Sequence, residues 1–190
     1  GVILPKDTND VLNIMDYSQR NSIPLLARGG GSSQCGQTVG ESVVLDYSKH
    51  QDKILELNVK DKYVWVEPGV VLDRLNEYLK PYGLWFPVDV STSSRATIGG
   101  MSANNSCGSR SLYYGNMVHN VLAIEAILDD GSIFTFDQIE KNYLERKNNQ
   151  DRLYKIIDKF IDVRQKVSND IKDNWPTTQR RVGGYNIDLI

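Results

Sequence analysis

Hydrophobic and polar positions along this chain change their period several times, and each change marks an element. Val2-Ile3-Leu4 is a short apolar run, read as a strand. Asp7, Thr8, Asn9 and Asp10 then form a helix-start cluster, and Val11, Ile14, Met15 and Ser18 recur at helical spacing. Residues 23–27 are a second short strand, ending at Gly29, Gly30 and Gly31. Residues 43–46 and 54–57 read as strands, and 63–67 is the clearest β-rich run. Pro68-Gly69 closes it. Over 70–80, Val71, Leu72, Leu75, Tyr78 and Leu79 share one helical face. Residues 121–128 and 133–136, separated by Asp129-Asp130-Gly131, predict a hairpin, because Asp-Gly supplies the left-handed backbone of a tight turn. Leu153, Ile156, Ile157, Phe160, Val163, Val167 and Ile171 describe one long amphipathic helix, packed by its apolar face on a domain. The fold class is α+β.

Composition narrows the partners. The chain has 190 residues with 22 Lys+Arg against 24 Asp+Glu, a net charge of −2, which leaves no basic footprint for nucleic acid. No apolar run approaches the ~18–20 residues of a membrane span, and the opening Gly1-Val2-Ile3-Leu4-Pro5, with no basic stretch and no long apolar one, is not expected to be a signal peptide. Cys35 and Cys107 form no C-x-x-C pair, so no metal site is expected, and their low number fits a reducing cytoplasm. Thirteen of fifteen glycines lie in residues 1–131, which marks a change of architecture beyond that point.

Two glycine-rich polar stretches carry the candidate chemistry. In the first, Arg28-Gly29-Gly30-Gly31-Ser32-Ser33-Gln34-Cys35-Gly36-Gln37, consecutive glycines after a strand let backbone N–H groups converge into an anion-binding concavity. Ser32 and Ser33 add hydroxyls and Arg28 a positive charge. The stretch is neither a P-loop nor a dinucleotide-binding G-x-G-x-x-G, since Gln34 stands where the third glycine belongs. The second stretch, residues 91–110, holds ten Ser, Thr or Asn and no acidic residue. With Ile98, Met101 and Ala103 inside it, it reads as an ordered binding loop whose small side chains admit a large polar ligand. A ligand with a diphosphate and a broad heterocycle suits both, without a choice among nucleotides.

Arg28-Gly29-Gly30-Gly31-Ser32-Ser33, Val66-Glu67-Pro68-Gly69, Phe86-Pro87-Val88-Asp89, Ala96-Thr97-Ile98-Gly99-Gly100-Met101, Asn105-Ser106-Cys107-Gly108-Ser109 and Tyr114-Gly115 occur in an order that resembles the FAD-binding domain of the vanillyl-alcohol oxidase/PCMH superfamily. Within it the branch is that of D-lactate, glycolate and D-2-hydroxyglutarate dehydrogenases. The resemblance runs from about residue 3 to 136 and continues weakly to Gly184-Tyr185-Asn186. It implies a PCMH-type domain of two α+β lobes, 1–60 and 61–190, incomplete at its C-terminal end. It further implies that Gly29, Gly30, Gly31, Ser32 and Ser33 wrap the FAD diphosphate, and that Arg28, Gly36 and Gln37 bind the cofactor with them. Pro87 and Asp89 would pass the flavin, and Thr97, Gly99, Gly100, Ala103, Asn105, Gly108 and Ser109 would form the second FAD loop. Tyr114 and Gly115 would continue that loop, and Val121 would begin a strand near the adenine end.

Relatives that attach FAD covalently carry a His after the first loop; here Ser32-Ser33-Gln34 stands there, so non-covalent FAD is expected. His50 and His119 lie near no carboxylate cluster, and no catalytic residue or Ser-His-Asp arrangement can be named. The expectation is the FAD-binding part of a larger dehydrogenase or oxidase that passes a hydride from a D-2-hydroxy acid to flavin N5. Its small-molecule 2-hydroxy acid substrate would bind through a C-terminal domain these residues lack. The resemblance leaves room for an iron–sulfur electron-transfer domain and for peripheral attachment to the inner membrane in the full-length, otherwise cytoplasmic enzyme. The 190 residues alone are expected to bind FAD weakly or not at all and not to turn over. The alternatives are a stand-alone nucleotide-binding or regulatory module and the FAD domain of a cell-wall precursor reductase.

Overall fold

The computed structural model of the chain describes residues 1–138, 151–178 and 180–189. Strand β1 (Val2–Ile3) is followed by helix α1 (Thr8–Arg20), β2 (Leu25–Arg28) and β3 (Val43–Asp46). The helix starts where its cluster predicts: the Asp7 carboxylate accepts the Asp10 amide at 3.0 Å and caps the first turn. It buries Val11 and Ser18 and carries the chain from β1 to β2, which lie parallel on either side of β3. Strand β2 begins two residues later than the apolar run suggests. Pro24 has no amide to give, and only its carbonyl joins the sheet, accepting from Val43 N at 2.9 Å.

Strands β4 (Ile54–Asn58) and β5 (Tyr63–Val66) pair antiparallel. Residue 60, the expected boundary between lobes, falls in the turn joining these paired strands. Helix α2 (Leu72–Leu79) gives way at Pro81, whose missing amide tightens the chain into a 3-10 turn, Lys80–Tyr82, ended by Gly83 at φ +68°. Three short helices follow: α3 (Ile98–Ala103), α4 (Ser111–Tyr114) and α5 (Met117–Asn120).

The hairpin is β6 (Ile124–Ile127) and β7 (Ile133–Phe136), turning at Gly131, φ +81°. Its first strand starts at Ile124 and not at Val121. The Val121 amide instead donates to Met117 O at 2.9 Å and closes α5. The expected long helix is two, α6 (Arg152–Lys166) and α7 (Ser168–Asn174), broken where Val167, Ser168 and Asn169 succeed one another, all weak helix formers. Of α6 only Ile157 is buried, and Phe160 is half exposed. Part of the expected second lobe, 139–150, lies outside the described residues.

The core consists of two adjoining clusters. Leu72, Val88, Ala96, Met101 and Met117 form one; Val70, Leu75 and Leu79 form the other, and Phe86 and Ile98 pack against both. Met101 anchors α3 in the first, so the glycine-rich segment is held by core packing rather than by helix propensity.

Candidate functional site

The three glycines leave β2 and run straight onto the start of α3. A Cβ on Gly29 would overlap Thr97 Oγ1, and one on Gly30 would overlap the carbonyl oxygen of Arg95. The loop therefore lies directly on a segment some 65 residues away, at Gly30 on its backbone and at Gly29 on the Thr97 side chain, an approach that only glycine permits. Gly31 adopts φ +63°, and a Cβ there would lie 2.5 Å from Arg28 Nη2, so the guanidinium is tucked beneath the loop. Thr97 is 1% exposed, and its hydroxyl caps α3, facing Gly100 N at 3.4 Å.

Between these segments is a cavity of about 340 Å³, at the lower end of the ~300–1,000 Å³ usual for small-molecule sites. Arg28, Gly29, Gly30, Gly31, Ser32, Ser33 and Gln37 line one side, and Thr97, Gly100 and Ala103 line the other. Side chains join the two walls. Gln37 Nε2 donates to Ser33 Oγ at 2.5 Å and to Asn104 Oδ1 at 2.8 Å, and Thr92 Oγ1 donates to Ser32 Oγ at 3.3 Å.

Among the described residues, the wall contains one cation, Arg28, and no carboxylate. Arg28 Nε is buried without a hydrogen-bond partner, 4.0 Å from Asp46 Oδ2. The pair is long, and the other oxygen of Asp46, Oδ1, accepts the Ser48 amide at 2.9 Å and the Ser48 hydroxyl at 2.6 Å. Among the described residues, the amides of Gly29, Gly30, Gly31 and Ser32 donate to no protein acceptor. Unpartnered amides, hydroxyls and one half-paired guanidinium, set in a cradle that side chains would fill, are the donor set a diphosphate requires.

The remaining predicted residues stand outside this cavity's lining. Gly36, φ +82°, shapes the same loop with open space around it. At Gly99 a Cβ would press on Pro68, whose carbonyl accepts the Gly99 amide at 2.9 Å. Gly108 packs against Asp89 in the same way. Asp89 is itself a hub, accepting from Ser109 Oγ at 2.6 Å and Arg110 N at 3.0 Å. Partial burial alone would raise its carboxyl, but those hydrogen bonds and the Arg110 guanidinium hold it below the usual carboxylate value. Pro87 leads into Val88, which is wholly buried.

Asn105, φ +45°, spends its side chain on Val118 N and Asn186 Oδ1. Tyr114 packs edge-on to Trp85 at 5.1 Å, and Gly115, φ +79°, lies against His119. Val121 sits at the end of α5. His119 Nδ1 accepts the Asn116 amide at 3.1 Å, a structural bond.

Sequence reasoning missed Thr92, Ala96, Met101, Asn104 and Ser106, all in the wall. The signal was present in part: Thr97, Gly100, Met101 and Asn104 are spaced as one helical face. Among the described residues no helix is long and apolar enough to cross a membrane.

Comparison with known proteins shows the family and the fold. The family described as "FAD binding domain" matches residues 1–137. The D-2-hydroxyglutarate dehydrogenase of Haemophilus influenzae is 36% identical over 200 residues, covering 100% of this chain and 19% of that protein. The mitochondrial D-lactate dehydrogenase [cytochrome] of Kluyveromyces lactis is 38% identical over 136 residues, covering 70% of this chain and 23% of its own. The chain thus spans about a fifth of the length of these curated relatives. Among solved structures, 6-hydroxy-D-nicotine oxidase from Arthrobacter nicotinovorans superposes with a TM-score of 0.66 at 19% identity, over 75% of this chain and 31% of that one. At that identity the likeness is one of fold.

Proposed function

The chain belongs to the FAD binding domain family, and from that premise we propose that the cavity between the glycine loop and α3 holds the diphosphate of FAD. The observation that carries the reading is the set of unpartnered amides at Gly29, Gly30, Gly31 and Ser32, in a lining that among the described residues has one arginine and no carboxylate. Arg28 supplies the charge, Ser32, Ser33 and Thr97 supply hydroxyls, and Gly100 and Ala103 keep the opposite wall low. Gln37, through Asn104, ties the two walls across the ligand. Gly36, Pro87, Asp89, Gly99, Asn105, Gly108, Ser109, Tyr114, Gly115 and Val121 shape the site from behind its lining.

The cofactor is held without a covalent bond: Ser32, Ser33 and Gln34 stand in the loop where an attaching His would be, and Cys35 is exposed. When bound, FAD supplies the acceptor for the hydride equivalent removed from the hydroxyl-bearing carbon of a substrate. The part these residues take is to bind and orient it.

The substrate class we propose for the whole enzyme is a D-2-hydroxy acid, D-2-hydroxyglutarate before D-lactate. The support is coverage: the Haemophilus relative aligns over 100% of this chain and the Kluyveromyces one over 70%. Substrate binding, any iron–sulfur domain and any contact with the inner membrane belong to parts of such an enzyme beyond these residues.

The test is a titration of the isotopically labelled chain with FAD, and separately ADP, followed by amide NMR, which registers weak complexes. Both ligands should move the amides of Gly29, Gly30, Gly31 and Gly100 and leave those of Gly183 and Gly184 in place. If those four stay fixed while either ligand is added in excess, the cradle is not a diphosphate site.

A further inference from the structure

Three hydrogen bonds run from residues 180–188 back to the segment between α3 and α5. Arg180 Nη1 donates to Gly108 O at 3.1 Å. Asn116 Nδ2 donates to Arg181 O at 2.7 Å. Asn105 Nδ2 donates to Asn186 Oδ1 at 3.2 Å. The partners are separated by 72, 65 and 81 residues. Asn116 is 2% exposed, so its bond lies inside the protein. The returning segment has a shape of its own: Arg181 pairs with Asp188, both side chains largely buried, and its guanidinium lies 5.2 Å over the Trp175 ring. Arg181 Nη1 also donates to Pro176 O at 3.1 Å.

What these bonds hold is part of the cavity wall. Ser106 lines the cavity and sits between Asn105 and Gly108, two of the three anchor points. Its amide donates to Met101 O at 2.9 Å and its carbonyl accepts Met117 N at 3.0 Å, so its place depends on α3 and α5 keeping their spacing. Asn105 sets that spacing. Its backbone is left-handed, and its Oδ1 accepts Val118 N at 3.1 Å in the first turn of α5. The other end of the same amide is held by Asn186, so the Asn105 side chain is pinned from both sides, once by α5 and once by the returning segment.

We propose that residues 180–188 are a strap that holds the second glycine-rich segment in its ligand-ready shape, with Asn186 as a positioning residue acting through Asn105. For its effect on FAD the strap rests on the assignment of the cradle above; its docking does not. Asn186→Leu keeps the size of the side chain and removes the acceptor, whereas Asn186→Asp keeps an acceptor in place. In Asn186→Leu the Val118 amide should exchange with solvent roughly fivefold to tenfold faster, the effect of one net hydrogen bond. FAD affinity should fall by a similar factor, and the resonances of Gly29, Gly30 and Gly31 should stay put. Asn186→Asp should restore both quantities to within about twofold, since an acceptor for Asn105 remains.

Exchange at Val118 and FAD affinity both unchanged in Asn186→Leu would overturn the strap. Should that variant not fold, Arg180→Met, which removes the Gly108 anchor from an exposed side chain, carries the same expectation at reduced size, and unchanged exchange there overturns it equally. A wild-type chain that gives no response to FAD would sink the cradle, while the exchange measurements would still decide the strap.

Discussion

Gly99 separates a packing role from a ligand contact. In Gly99→Ala the new Cβ would lie 2.6 Å from Pro68 Cβ and 2.9 Å from Pro68 O, where carbon–carbon contacts settle at roughly 3.5–4.0 Å. Helix α3 must then lift by about 1 Å. The same turn makes two hydrogen bonds to that strand end, Gly99 N to Pro68 O at 2.9 Å and Ile98 N to Val70 O at 2.8 Å, and both stretch together. Overpacking costs about 1–3 kcal/mol, and each weakened amide bond about 0.5–1.5 kcal/mol. Alanine recovers about 0.5–1 kcal/mol over glycine in a helix. With the two bonds weakened but not lost, the net is a loss of about 2–3 kcal/mol, and at roughly 2–4 °C per kcal/mol for a chain of this size Tm falls by about 4–12 °C. Thermal unfolding followed by circular dichroism reads this directly. The control is Gly183→Ala, where a Cβ meets nothing within 4 Å; a surface change of this kind stays within about 0.5 kcal/mol, or about 2 °C. A Gly99→Ala protein that melts with the wild type but no longer takes FAD would refute the packing argument and make Gly99 a ligand contact.

Two further predictions address the cradle and its hub. Gly31→Ala places a side chain in left-handed backbone, at a cost of about 1–2 kcal/mol, and pushes its Cβ against the Arg28 guanidinium. ADP affinity by titration calorimetry should fall roughly tenfold, the value of one charge-assisted hydrogen bond, and an unchanged affinity would remove Arg28 from the site. Asp89 has its carboxyl held low in the folded state. Its stabilising contribution is therefore present above the unfolded carboxyl value, near ~3.9, and is lost as pH falls through the lower folded value. Asp89→Asn should unfold at lower urea than the wild type at neutral pH, with the gap closing in strong acid; a gap that widened there would contradict the sign.

Periodicity revealed the elements whose stability comes from an apolar face. Helix α1, strands β3 and β5 and helix α2 follow their patterns because Val11, Leu45, Val64, Leu72 and Leu75 all face packed interior. It failed where hydrophobicity and hydrogen bonding part company. Val121 looked like the start of a strand, but its amide is committed to Met117 O and its side chain to the core beside Met117. Helix α3 was masked for the opposite reason. Ile-Gly-Gly-Met-Ser-Ala is a poor helix by propensity and exists because Thr97 caps it, Pro68 and Val70 accept its first amides, and Met101 is buried at 2% exposure. Those are tertiary causes, and they come from residues some 30 positions away.

At the site, the same limitation takes a chemical form. Gly29, Gly30, Gly99 and Gly108 all stand in motifs read as ligand contacts, yet a glycine is required equally where a ligand approaches and where another backbone does. Gly29 and Gly30 do both: one side of the loop lies on Thr97 and Arg95, and the other lines the cavity. Gly99 and Gly108 stand outside that cavity's lining and pack on Pro68 and Asp89. Composition could not separate these roles because the quantity that differs is what stands opposite each α-carbon. The net charge of −2 is reconciled in the same terms. Asp46 is kept 4.0 Å from Arg28 by its own bonds to Ser48, so the one cation in the wall keeps Nε unpartnered. With four unpartnered amides beside it, an acidic protein needs no basic surface to hold a diphosphate, because the attraction is local dipoles at contact rather than a long-range field.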